Sequence, residues 1–130
     1  MKITSYGHSC FLVEENNKKI LFDPYDDDSV PGLKLPRNIC VDQVYCSHEH
    51  ADHNAKHLVS SNNIDVFPVQ FITVPHDDQN GKLRGFSNIT IVDMHGIKVV
   101  HMGDIGRMLT KEEIQKLSGV DVLFLPVGGY

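Results

Sequence analysis

Short apolar runs separated by polar turns fill the chain from its first residues. Lys2–Tyr6, Cys10–Glu14 and Lys19–Phe22 predict three strands, the last two joined by a polar Glu15-Asn16-Asn17 turn. Asp23-Pro24 ends the third, because proline has no N–H for a ladder. Tyr25–Asn38 holds three aspartates and two further prolines, which predicts a long surface loop. Val41–Cys46 predicts another strand and Asn54–Ser60 a short helix. Phe71–Val74 predicts a strand stopped by Pro75, and Ser87–Asp93 and Ile97–His101 flank a hairpin turn at Met94-His95-Gly96. Lys111–Leu117 predicts a helix, with Thr110 and Glu113 as a capping box and Gly119 at its far end. Val122–Leu125 reads as a buried-type strand, followed by a closing Pro126–Tyr130. Ile114, Leu117 and the three cysteines read as core positions.

A chain of 130 residues fits one domain large enough to bury a core without disulfides. The net charge of −5 disfavours nucleic-acid backbones, which need clustered Lys and Arg, and no basic stripe with interleaved aromatics appears. No apolar run reaches the roughly 20 residues of a membrane-spanning helix, and the start shows no signal-peptide pattern. Cys10, Cys40 and Cys46 form no C-x-x-C pair, so free thiols and a cytoplasmic location are expected. Histidine, at eight residues, is the one unusual count.

Four possible ligands, three of them histidines and the fourth Asp52, crowd into His48-Glu49-His50-Ala51-Asp52-His53, directly after a predicted strand. Chance would place such a cluster in roughly three chains per thousand of this composition. His48 and His50, two apart in an extended segment, can turn both imidazoles to one side and share an ion. Asp52 and His53 follow as the chain turns and can reach a second ion. Nitrogen and carboxylate donors suit Zn²⁺, with Mn²⁺ or Fe²⁺ as alternatives. His76 and Asp104 each sit just past a predicted strand, where a side chain can project into a site and a carboxylate can bridge two cations. Taken singly, His76 reads more readily as an exposed loop histidine and Asp104 as a turn residue; beside the cluster, the ligand reading of both prevails.

The chain resembles the metallo-β-lactamase superfamily, nearest to small metal-dependent hydrolases related to ascorbate-6-phosphate lactonase. The resemblance runs through Gly7-His8-Ser9, Leu21-Phe22-Asp23-Pro24, the His48–His53 cluster, His76, Gly85-Phe86, His101-Met102-Gly103-Asp104 and Leu125-Pro126-Val127-Gly128-Gly129. It implies an α/β (α+β) fold of the αββα sandwich type, of which this chain holds the N-terminal part as a single domain, mainly one mixed or antiparallel sheet with flanking helices. It also implies His48, His50 and His76 on one metal, Asp52 and His53 on the second, and Asp104 bridging. His8 corresponds to a residue at the mouth of the site, Asp23 to a carboxylate that orients ligand imidazoles, and His101 to a buried partner of the ligands. A turn residue and a strand-end cap are the plainer readings of His8 and Asp23.

The family's second sheet supplies a further histidine ligand, and no histidine follows Asp104 here. The expected coverage is therefore about two-thirds of a small member, either an incomplete chain or a short form completed by a partner. An open sandwich half exposes apolar surface, so a homo-oligomer is one expectation. The implied function is hydrolysis of an ester, lactone or phosphoester bond in a small substrate, anionic or neutral, using a hydroxide activated by one or two metal ions with Asp52 as the catalytic carboxylate. The alternative is a metal-binding or assembly module without turnover.

Overall fold

The computed structural model describes residues Met1–Val127. The chain divides into two compact units, Met1–Val66 and a second beginning at Phe67. In the first unit, β1 (Lys2–Gly7), β2 (Cys10–Glu15) and β3 (Lys18–Phe22) form an antiparallel meander. Asn16 and Asn17 both take the left-handed conformation, at φ 53° and 62°, which matches the right-handed twist of the strands they join. The chain then leaves the sheet and returns as β4 (Cys40–Val41) and β5 (Gln43–Tyr45), with β5 pairing parallel to β3. The sheet order is β1-β2-β3-β5, and β4 pairs separately with β6 (Ser60–Ser61).

Cys10, Leu12 and Leu21 share a core with Tyr25, Leu35, Ile39, Val41 and Val44. Tyr25, Leu35 and Ile39 come from the expected surface loop or its end, so that segment folds back as a lid on its own sheet. Burying each of these side chains contributes about 1.5–3 kcal/mol, enough to fix an aspartate- and proline-rich loop.

The second unit holds β7 (Val69–Pro75), β8 (Phe86–Met94), β9 (Ile97–His101) and β10 (Val122–Phe124), in the order β10-β9-β8-β7. β7, β8 and β9 run antiparallel, with His95 and Gly96 in left-handed conformation at the β8–β9 turn. β10 pairs parallel to β9 after the helix α1 (Lys111–Lys116), whose Thr110–Glu113 capping box is formed as expected. Ile72, Val74, Ile89, Ile91, Val100 and Met102 make the core beneath Ile105, Leu109, Leu117 and Val120.

Several expectations are corrected. Each unit carries a four-stranded sheet, where mainly one sheet was expected. The strand over Val41–Cys46 breaks at Asp42, whose N–H donates to Lys19 O at 2.9 Å and whose carboxylate accepts from Lys19 N at 2.8 Å. The helix over Asn54–Ser60 is one 3-10 turn, Lys56–Leu58, without a side-chain cap, and Ser60 N then bonds to Ile39 O as β6 begins. Pro75 lies within β7 rather than after it, which an edge strand tolerates. Ile114 is 56% exposed and Cys40 is exposed, so neither is a core residue. Of the closing segment, residues 128–130 lie outside the described residues. No helix among the described residues is long and apolar enough to cross a membrane.

Candidate metal centre

β3 and β5 end side by side, and this sets up the ligand-rich segment that follows β5. Asp23 N donates to Tyr45 O at 3.0 Å, placing the Asp23 side chain beside Ser47. Asp23 is fully buried. Its Oδ1 accepts from Ser47 N at 2.7 Å and its Oδ2 from Ser47 Oγ at 2.6 Å. The same Oδ2 lies 2.6 Å from His53 Nδ1, so that nitrogen carries the proton and donates. Ser47 Oγ has spent its only proton on Asp23, so at 2.8 Å it accepts from His48 Nδ1. In both His48 and His53 the lone pair is thereby left on Nε2. One buried carboxylate orients two imidazoles, one directly and one through a serine.

The rest of the segment is held from the backbone. Asp26 N donates to Ala51 O at 2.8 Å, Ala55 N to Pro24 O at 2.8 Å, and His53 N to His50 O at 2.8 Å. The ring of His48 lies 4.1 Å from that of His53 and 4.5 Å from that of His50, nearly perpendicular to the latter. His8 enters from the tip of the β1–β2 hairpin at φ 52°, a left-handed conformation that costs a side chain about 1 kcal/mol. Its Nε2 lies 3.0 Å from Asp52 Oδ2 and 3.3 Å from His53 Nε2. Burial, helped by the negative charge of Asp23, pushes the Cys10 and Cys46 thiols up to about 12. Both therefore stay protonated at neutral pH.

In the second unit, two residues 28 positions apart meet. His76 leaves β7 with its N–H on Gly85 O at 2.9 Å, and its Nε2 lies 3.1 Å from Asp104 Oδ2. Asp104 N donates to Ser87 Oγ at 3.2 Å, and Gly103 before it takes φ 60°. His76 is buried, unlike an exposed loop histidine. His101, also buried, accepts from Gly103 N at 3.2 Å and lies against the Phe124 ring, with centroids 5.9 Å apart.

Asp77, next to His76, had no expected role. Its carboxylate accepts from four backbone amides: Gln79 at 2.8 Å, Gly81 at 2.9 Å, Leu83 at 3.0 Å and Arg84 at 2.7 Å. These bonds, that of Arg84 foremost, hold its carboxyl below the usual carboxylate range. Gly106 passes so close that a Cβ there would overlap the Asp77 backbone, while its N–H donates to Pro75 O at 2.8 Å. An aspartate ahead of a segment with glycines at 81 and 85 is the signal that could have found this turn. For Ser47 the signal was its place directly before His48.

The first unit thus brings together His8, Asp23, Ser47, His48, His50, Asp52 and His53, and the second brings together His76 and Asp104. Nitrogen and oxygen donors with preset tautomers fit a divalent cation such as Zn²⁺.

Comparison with known proteins agrees. Residues 2–130 match the family model described as the β-lactamase superfamily domain, and the chain belongs to that family. A relative named UPF0173 metal-dependent hydrolase, from Natranaerobius thermophilus, is 25% identical over 99% of this chain and 72% of its own length. Its namesake from Opitutus terrae is 43% identical over a shorter stretch, 41% of this chain and 23% of its own. Among solved structures, a Thermotoga maritima member of the metallo-β-lactamase superfamily, proposed to be a Zn-dependent hydrolase, aligns with a TM-score of 0.73 and 33% identity. That match covers 98% of this chain and 62% of the Thermotoga chain, so the present chain spans less than two-thirds of that protein. A metallo hydrolase from Ignicoccus hospitalis, at 20% identity and a TM-score of 0.69, shares the fold. The α/β fold of the metallo-β-lactamase type follows from these matches.

Proposed function

We propose that this chain carries the metal centre of a hydrolase acting on an ester, lactone or phosphoester bond of a small, anionic substrate. The observation that carries the reading is the buried Asp23, which turns the Nδ1 protons of His53 and, through Ser47, His48 inward and leaves both Nε2 atoms as donors. Membership of a family whose relatives are named metal-dependent hydrolases supports it. The ligand assignment follows the family pattern: His48, His50 and His76 for one cation, Asp52 and His53 for the other, Asp104 between them. Zn²⁺ is the expected ion, with Mn²⁺ or Fe²⁺ as alternatives. Divalent cations, when bound, make water acidic enough to act as a nucleophile near neutral pH and polarise the bond to be cleaved.

The chain's own residues have narrower tasks. Asp52 accepts the proton of the attacking water, and Asp23 keeps the imidazoles from rotating. The acidic composition does not oppose an anionic substrate, because bound cations reverse the local charge. Three free cysteines favour a reducing compartment, the cytoplasm.

The test pairs metal content with turnover of a phosphodiester and a lactone. Wild-type protein loaded with Zn²⁺ or Mn²⁺ is expected to hold up to two ions and to hydrolyse at least one substrate. Asp52→Ala should lower kcat about 100-fold or more. Metal stoichiometry near zero overturns the reading. Tight binding with turnover no higher than Asp52→Ala replaces it with a binding module that does not turn over.

A further inference from the structure

We propose that His8 is itself a metal ligand, the third donor that the first unit supplies to the cation held by Asp52 and His53. This rests on the metal-centre reading above and adds to it a residue that the family pattern places only at the mouth of the site. Three atoms define the candidate position. His8 Nε2 lies 3.0 Å from Asp52 Oδ2 and 3.3 Å from His53 Nε2, and His53 Nε2 lies 3.4 Å from Asp52 Oδ2. Donors bound about 2.1 Å from a tetrahedral ion lie roughly 3.4 Å from one another, so this triangle has the edges that a shared cation requires.

Protonation points the same way. His53 has committed its Nδ1 proton to Asp23, so its Nε2 presents a lone pair toward His8. Asp52 presents a carboxylate oxygen toward the same atom.

The backbone also fits a functional position. His8 sits at a left-handed φ of 52° next to Gly7 at φ 95°, where glycine or asparagine would turn the hairpin with less strain. The tight turn brings the imidazole to Asp52, 44 residues further along the chain.

The left-handed φ supplies a well-behaved variant. His8→Gly removes the imidazole and relaxes the turn, so the metal-free protein should melt no lower than wild type. Zn²⁺ binding would be measured by equilibrium dialysis against a competing chelator, and the visible absorption of the Co²⁺-loaded protein recorded alongside. The expected result is retention of one ion and a loss of affinity for the other of about 100-fold, with a changed Co²⁺ spectrum and partial restoration by free imidazole. His8→Asn, which tolerates the same φ, should lose affinity similarly. Two ions bound by His8→Gly with wild-type affinity and an unchanged Co²⁺ spectrum overturns the role of His8 while leaving the metal centre intact. No ion bound by the wild type overturns both.

Discussion

Asp23 and Asp77 are two buried aspartates in different units, and they spend their acceptors in opposite ways. Asp23 gives its oxygens to a serine and a histidine, with one backbone amide, so its effect is exported to the orientation of imidazoles. Asp77 gives its oxygens to four backbone amides within seven residues, so its effect is the shape of the loop that follows His76. Burying a carboxylate is expensive, and each site repays that cost with a full set of donors. The difference teaches that a buried acid beside a candidate ligand histidine need not tune it. What matters is whether its donors are side chains or main chain.

The largest effect expected from this contrast is at Asp23. Asp23→Ala leaves Ser47 N, Ser47 Oγ and His53 Nδ1 without their acceptor in the core. It should destabilise the protein by about 3–5 kcal/mol in urea unfolding and weaken Zn²⁺ binding about 10–100-fold. If Asp23→Ala lost stability while metal affinity held, the carboxylate would be merely structural and the comparison would fail.

Asp77→Ala is expected to cost less stability in urea unfolding than Asp23→Ala, because water can reach part of the loop and replace some of the lost bonds. Amide exchange should accelerate at Gln79, Gly81, Leu83 and Arg84, with Zn²⁺ affinity changed far less than in Asp23→Ala. Equal losses of affinity in the two variants would erase the distinction.

The smallest effect belongs to a carboxylate on the surface. Arg107, and then the Thr110 amide, lower the Glu113 carboxyl from 4.5 to about 2. Glu113 thus binds its proton less readily in the folded chain than in the unfolded one. Its contribution is complete above pH 4.5 and drains away as pH falls toward 2. Glu113→Gln should cost about 0.5–1 kcal/mol at pH 7 and almost nothing near pH 2, as read from thermal unfolding at the two values.

How much of this was legible beforehand depended on how local the signal is. The His48–His53 cluster could be read directly, because four donors lie within six residues. The capping box at Thr110 and Glu113 and the Gly96 hairpin are equally local, and both formed. Asp77 stayed hidden because its partners are amides, which every residue carries, and only the folded direction of those N–H groups singles it out. Asp42 was absorbed into a strand for a similar reason: its bonds to Lys19 depend on a neighbour 23 residues away. Leu35 and Ile39 have no strand or helix period, so nothing in their spacing announced that a proline-rich loop would close over the sheet. His8 could be picked out, but its left-handed turn and its distance to Asp52 could not.

The two bonds from Asp26 to Ala51 and from Ala55 to Pro24 carry a kinetic meaning. They stitch the ligand-bearing segment to the stretch that leaves β3, so that segment opens only when its neighbour opens too. A cation bound at this end of the molecule would then exchange with cooperative breathing of both stretches, not with the wandering of a free loop. A cation captured there would leave slowly even where its equilibrium affinity is modest.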